Sequence, residues 1–141
     1  FMPELPEVET IVRQLQKKIL HKTISKAELY DNIVMDQKIA SVSKVLIEKV
    51  WRRAKYIVME LSDGKYLLTH LGMTGHFHFV DKQDAAKKNY PDGHERFMVS
   101  KFIFSDGSFL THNSIRKFGR MKLVDKKQLQ QIEQQANACR A

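Results

Sequence analysis

Two Ser-Asp-Gly triplets constrain the fold of this chain more than any other feature. Ser62-Asp63-Gly64 separates Tyr56-Ile57-Val58-Met59-Glu60-Leu61 from Lys65-Tyr66-Leu67-Leu68-Thr69. Ser105-Asp106-Gly107 separates the run from Phe97 to Phe104 from the run from Ser108 to Thr111. An Asp-Gly pair supplies the positive backbone φ of a tight turn, and the flanks are rich in β-branched and aromatic residues, so both stretches read as antiparallel hairpins.

The other elements fit round these hairpins. Glu4, Glu7 and Glu9 place negative charge at the start of a helix, Pro6 is tolerable in a first turn, and Val8, Ile11 or Val12, Leu15 and Ile19 form its apolar stripe to about Leu20. Strands are expected at Ile24 to Leu29, Val42 to Val50 and His76 to Val80, and Met121-Lys122-Leu123-Val124 leads on to Asp125. Tyr30 to Ala40 reads as either loop or short helix, and Asp81 to Gly93 as loop. Asp125 can cap a closing helix with Gln128 three residues on, and Leu129, Ile132 and Ala136 give that helix a weak apolar face. Many strands with one helix at each end favour a β-sandwich or closed sheet over a doubly wound fold. The fold expected is therefore mainly β: a two-sheet β-sandwich with an amino-terminal helix and a short carboxy-terminal helix, in one domain spanning 1–141.

Composition narrows the partners. Lys and Arg number 24 against 16 Asp and Glu, a formal charge of +8 that draws the protein toward a polyanion. Nucleic acid comes first among these; an anionic membrane surface or a basic solvated face is the alternative. No apolar run reaches the roughly 20 residues of a membrane span, and Phe1-Met2-Pro3-Glu4 lacks the pattern of a secretion signal, so no membrane partner and a cytoplasmic or nucleoid-associated location are expected. The single cysteine, Cys139, can form neither an internal disulfide nor a metal-binding cluster, and no cofactor or metal is expected.

Pro3-Glu4-Leu5-Pro6-Glu7-Val8-Glu9-Thr10 resembles the amino-terminal signature of formamidopyrimidine-DNA glycosylases and the related endonuclease VIII family. Arg52-Arg53-Ala54-Lys55-Tyr56, His70-Leu71-Gly72-Met73-Thr74-Gly75 and Ile115-Arg116-Lys117-Phe118-Gly119 continue the likeness in the expected order. Met73, Arg116 and Phe118 favour the formamidopyrimidine branch, which excises oxidised purines. The resemblance implies DNA base-excision repair with abasic-site lyase activity, and double-stranded DNA containing oxidised bases or abasic sites as partner. Without the catalytic chemistry, the same surface would serve a non-enzymatic damaged-DNA-binding or interaction module.

The resemblance also assigns residues. Pro3 matches the amino-terminal proline whose secondary amine attacks C1′ of the damaged nucleotide; such an amine is partly neutral near pH 7, because its pKa is about 8. Glu4 matches an acid/base residue and Glu7 one that positions the sugar, although carboxylates also serve simply as helix-start charges. Lys55 matches a lysine that contacts phosphate near the lesion, Arg52 and Arg53 add charge beside it, and His70 resembles a further phosphate contact. Met73, Arg116 and Phe118, with Lys117 between the last two, match residues that fill the duplex when the damaged nucleotide is extruded. Taken singly, Met73 and Phe118 would read as core residues and Arg116 as a surface charge.

Three departures accompany the match. Phe1-Met2 precedes Pro3, and an internal proline nitrogen is an amide without a nucleophilic lone pair, so covalent chemistry is expected only once Pro3 is exposed. Ser114 stands where the family usually has Asp, which weakens the bond available to orient Arg116, and the loop around Gly93-His94-Glu95-Arg96 lacks the family's His-rich pattern. The family's helix-two-turn-helix region and four-cysteine zinc finger have no counterpart in this sequence, so impaired activity is expected of it, read either as an excised domain or fragment missing its carboxy-terminal half or as a short relative that has changed role.

Overall fold

A computed structural model describes residues 5–30, 36–70, 75–85, 98–114 and 120–138. Helix α1 (Leu5–Ile19) forms along the predicted stripe, with Val8, Val12, Leu15 and Ile19 all buried. Full burial of such side chains is worth about 1.5–3 kcal/mol each, enough to hold one face of the helix on the core. The helix ends where His21 turns left-handed (φ 68) and donates its backbone N–H to Ile47 O at 2.8 Å.

Eight strands follow: β1 (Thr23–Leu29), β2 (Val45–Arg53), β3 (Tyr56–Leu61), β4 (Tyr66–His70), β5 (His76–Val80), β6 (Met98–Phe104), β7 (Phe109–Asn113) and β8 (Arg120–Val124). Each pairing is antiparallel, in the order β5-β7-β6-β1-β2-β3-β4-β8. β1 and β2 share only the register pairs Thr23↔Leu46 and Ile24↔Val45, so the order divides there into two four-stranded halves. Their apolar faces share one core: Phe102, Phe104 and Leu110 come from one half, and Ile47, Ile57, Met59 and Leu67 from the other. This is the expected β-sandwich.

Both Ser-Asp-Gly triplets turn hairpins, by the same geometry. Gly64 N–H donates to Leu61 O at 3.1 Å and Gly107 N–H to Phe104 O at 3.0 Å, closing a turn whose last residue is the glycine. Only the glycines have positive φ (85 and 94); the aspartates contribute carboxylates instead, accepting from Lys65 N–H at 3.1 Å and Ser108 N–H at 2.9 Å. The expectation that the Asp-Gly pair as a unit supplies positive φ is corrected accordingly: these are three-residue loops in which one glycine carries the left-handed turn.

Other boundaries shift for local reasons. In the ambiguous stretch, a 3₁₀ turn (Gln37–Ser41) is capped by Asp36, which accepts from Lys38 N–H at 3.0 Å and, through its other oxygen, from Leu123 N–H at 3.2 Å. Val42 caps the end of that turn, so β2 starts at Val45 instead of Val42 and runs through the basic residues to Arg53. Part of the loop expected after Val80 is helical: α2 (Lys82–Ala85) begins where Asp81 accepts from Asp84 N–H at 2.9 Å. Helix α3 (Lys126–Ala138) opens on the predicted reciprocal cap, with Gln128 N–H to Asp125 Oδ1 at 2.7 Å and Asp125 N–H to Gln128 Oε1 at 3.0 Å. Leu129 and Ile132 pack with Val58, Leu68, Val124 and Trp51 in a second cluster, separate from the shared core.

Candidate nucleic-acid interface

The basic run Arg52-Arg53-Ala54-Lys55 closes the β2–β3 hairpin. Arg53 pairs in register with Tyr56, so Ala54 and Lys55 alone make the loop. Ala54 has φ 53, a left-handed conformation that costs a residue with a Cβ about 1–2 kcal/mol. Arg52 holds the turn by donating from Nη1 to Ala54 O at 3.0 Å. Lys55 is half-buried at the tip and makes no ion pair among the described residues.

His70 lies opposite Tyr56 in the β3–β4 register, with ring centroids 5.3 Å apart and edge to face. It is the last residue of β4. Burial, and then the positive charge of Lys55, hold the imidazole below its usual pKa. The uncharged ring therefore dominates at pH 7, able to donate one hydrogen bond and accept another.

Pro3, Glu4, Met73, Arg116, Lys117 and Phe118 lie outside the described residues, but the ends of their segments are fixed. Segment 71–74 runs between His70 and Gly75, just before His76, and segment 115–119 between Ser114 and Arg120. His70 pairs with Arg120, and His76 with Asn113. The strands flanking the two segments are thus hydrogen-bonded neighbours on both sides. Ser114, at the head of the second segment, is buried.

Helix α1 brings the amino-terminal signature toward the same end. Glu9 accepts from Arg52 Nε at 2.8 Å, and about two turns farther along the helix Gln16 Nε2 donates to Val50 O at 2.6 Å. Passing from Gln16 back to Glu9 therefore follows β2 toward its turn, and Glu7 is exposed one residue pair before Glu9. Arg53 points elsewhere, to Glu133 of α3, with Nε 3.0 Å from Oε2. Such partly exposed pairs are worth about 0.2–1 kcal/mol each, so they orient more than they stabilise.

The sequence pattern of the formamidopyrimidine-DNA glycosylase N-terminal domain matches residues 2–121. The chain belongs to this family. It is 41% identical over 127 residues to formamidopyrimidine-DNA glycosylase of Lactobacillus helveticus, covering 87% of this chain and 43% of that protein. It is 38% identical over 129 residues to the Streptococcus pneumoniae protein of the same name, covering 87% and 43%. Among solved structures, Lactococcus lactis Fpg in complex with abasic-site DNA superposes with a TM-score of 0.78 at 27% identity, covering 92% of this chain and 47% of that one. MutM in complex with DNA containing carbocyclic 8-oxo-G gives 0.78 at 28% identity, covering 92% and 48%. The chain thus spans less than half the length of these family members.

The structure adds residues that the motifs did not single out. Tyr56 and Arg120 flank His70 through strand register, and Glu9 engages Arg52 across 43 positions of sequence. The hairpin at Ala54-Lys55 was the available signal for Tyr56, because a two-residue loop puts the next residue on the paired strand. Among the described residues, no group of three or more His, Cys, Asp or Glu could hold a metal ion. None of their helices is long and apolar enough to cross a membrane.

Proposed function

We propose that this chain is the nucleophile-bearing half of a base-excision-repair DNA glycosylase with abasic-site lyase activity, acting on oxidised purines in double-stranded DNA. One observation carries the reading: the amino-terminal helix runs along β2 toward the strained turn that presents Lys55, beside the paired strands that hold segments 71–74 and 115–119. An amine at the start of that helix and a phosphate contact at that turn would face one stretch of DNA. The fold and family match supports this reading, as do the DNA complexes of similar proteins.

In this mechanism Lys55 and His70 engage phosphates beside the lesion, and Arg52, Arg53 and Lys117 add to the positive field that draws DNA in. Met73, Phe118 and Arg116 occupy the space left by the extruded nucleotide, because its C1′ is unreachable inside the stack. The Pro3 nitrogen lone pair forms a bond to C1′ and the base departs with the electrons of the glycosidic bond, taking up the proton that the proline nitrogen sheds. Glu4 supplies the proton as the sugar ring opens, leaving an iminium ion, and Glu7 positions the sugar. Loss of a proton beside the iminium carbon then permits β-elimination and, after it, δ-elimination of the flanking phosphates. The family's carboxy-terminal half, in the same polypeptide or supplied separately, completes the grip on DNA and the choice of lesion.

Borohydride trapping on duplex DNA with one abasic site tests this. With Pro3 exposed as the first residue, a covalent protein-DNA product is expected; with Phe1-Met2 attached, none is. Equal yield from both forms overturns the assignment of Pro3. Salt-sensitive binding without trapping from either form would instead identify a damaged-DNA-binding module, since displacement of phosphate counterions needs no nucleophile.

A further inference from the structure

We propose that Arg52 is a positioning residue which clamps helix α1 to the Lys55 turn, and so sets the approach of the Pro3 amine relative to the phosphate that Lys55 holds. The proposal deepens the repair reading above and rests on it. One guanidinium spans both parts: Nε donates to Glu9 Oε2 at 2.8 Å, in the second turn of α1, and Nη1 donates to Ala54 O at 3.0 Å, in the turn itself. Planar geometry fixes the angle between these two donors, so moving either partner strains the bond to the other.

The need for a clamp follows from the backbone. Ala54 is held left-handed (φ 53), and the peptide oxygen that Arg52 binds belongs to that strained residue and leads directly into Lys55. On the other side, Val8 and Val12 fix α1 on the core, but a buried stripe permits small rotations and slides that a directional bond resists. Glu9 lies inside the amino-terminal signature, two residues past Glu7 and six past Pro3, so its bond to Arg52 restrains the signature itself. Direct phosphate binding by Arg52 would have to use the three N–H groups that these two bonds leave over. The pair is partly exposed, with side chains 31% and 42% accessible, so its loss should leave the fold intact.

The test uses the full chain processed to expose Pro3, and abasic-site duplex DNA. Arg52→Met and Glu9→Gln should each slow single-turnover borohydride trapping roughly tenfold to a hundredfold, the scale on which a small misplacement of reacting groups acts. Arg52→Lys should also be slow, since it keeps the charge and loses the fork. The double variant should be no slower than Arg52→Met alone, because both changes break one clamp. Arg52→Lys, which keeps the charge, should leave DNA affinity and its salt dependence near those of the parent. Full activity in Arg52→Lys overturns the proposal, as does a salt slope reduced by about one in Arg52→Met with Glu9→Gln silent, which would mark a phosphate contact. If the parent itself traps nothing, the repair reading fails and amide exchange decides the clamp separately. Arg52→Met and Glu9→Gln should each speed exchange both at the start of α1 and at Ala54 to Tyr56, with Phe109 to Asn113 unchanged. A response confined to the mutated residue's own segment overturns it.

Discussion

His112 is fully buried in β7, its ring 5.3 Å from that of Phe77 and paired in register with Ser100. Among the described residues, no hydrogen bond reaches either ring nitrogen. Burial, and then the neighbouring His76, pull its pKa down to about 4. In the unfolded chain the same group titrates near 6.5, so between those values the unfolded state carries a proton that the native state does not. Stability from this group is therefore complete above pH 6.5 and falls as the solution is acidified, by about 3 kcal/mol in all by pH 4. Urea unfolding at pH 7, 6 and 5 should show the parent losing more stability than His112→Phe, with the carboxylates acting alike in both. Parallel pH curves would show that the native core accepts the proton. Nothing in the sequence announces this histidine: Thr111-His112-Asn113-Ser114 reads as a polar strand end, and its burial comes from β5 and β6, which pair on either side. The direction of Arg52 was equally hidden, because Glu9 is 43 residues away and the basic run looks the same whether it faces phosphate or protein.

The two Gly-terminated loops make a sharper test of local encoding. Among the described residues, a Cβ added at Gly64 meets nothing within 4 Å, and at Gly107 only Lys82 Cβ at 3.9 Å. Gly64→Ala and Gly107→Ala therefore cost backbone strain alone, about 1 kcal/mol each once the stiffer unfolded chain is allowed for. Denaturant midpoints check this; a neutral or stabilising result at either site would mean that its loop does not need the left-handed residue. Hairpins were legible because their turn chemistry is local, as was α3, whose Asp125 and Gln128 cap each other within four residues. Boundaries governed by distant partners were not. Asp36 caps the 3₁₀ turn while holding β8 through Leu123, and that turn removes Val42 from the strand in which its β-branched side chain seemed to belong. The basic residues at the end of β2 looked like a strand terminus, yet Arg52 and Arg53 stay in the ladder because Glu9 and Glu133 receive their charges.

At the scale of the whole molecule, the thin β1–β2 junction raises the question of whether the halves are separable. Two register pairs are little to join them, but the shared core opposes division. Splitting the sandwich would expose Phe102, Phe104 and Leu110 on one side and Ile47, Ile57, Met59 and Leu67 on the other, while α1 could cover only part of either face. At about 1.5–3 kcal/mol for each large side chain, that exposure is as large as or larger than the net stability of a typical domain, about 5–15 kcal/mol, so neither half should persist alone. The candidate interface has the same dependence: Lys55, His70 and Arg120 stand on one half, and His76 and Asn113 on the other. Trp51, the only tryptophan, reports on the first half from its edge contact with Tyr66, and amide exchange at Phe109 to Asn113 reports on the second. In a urea series the two signals should share one midpoint, and affinity for abasic-site DNA should fall with them. Loss of the Trp51 signal at lower urea than β7 protection would show two cooperative units. DNA binding that outlasted either signal would place the interface on one half alone, contrary to the paired ends of segments 71–74 and 115–119.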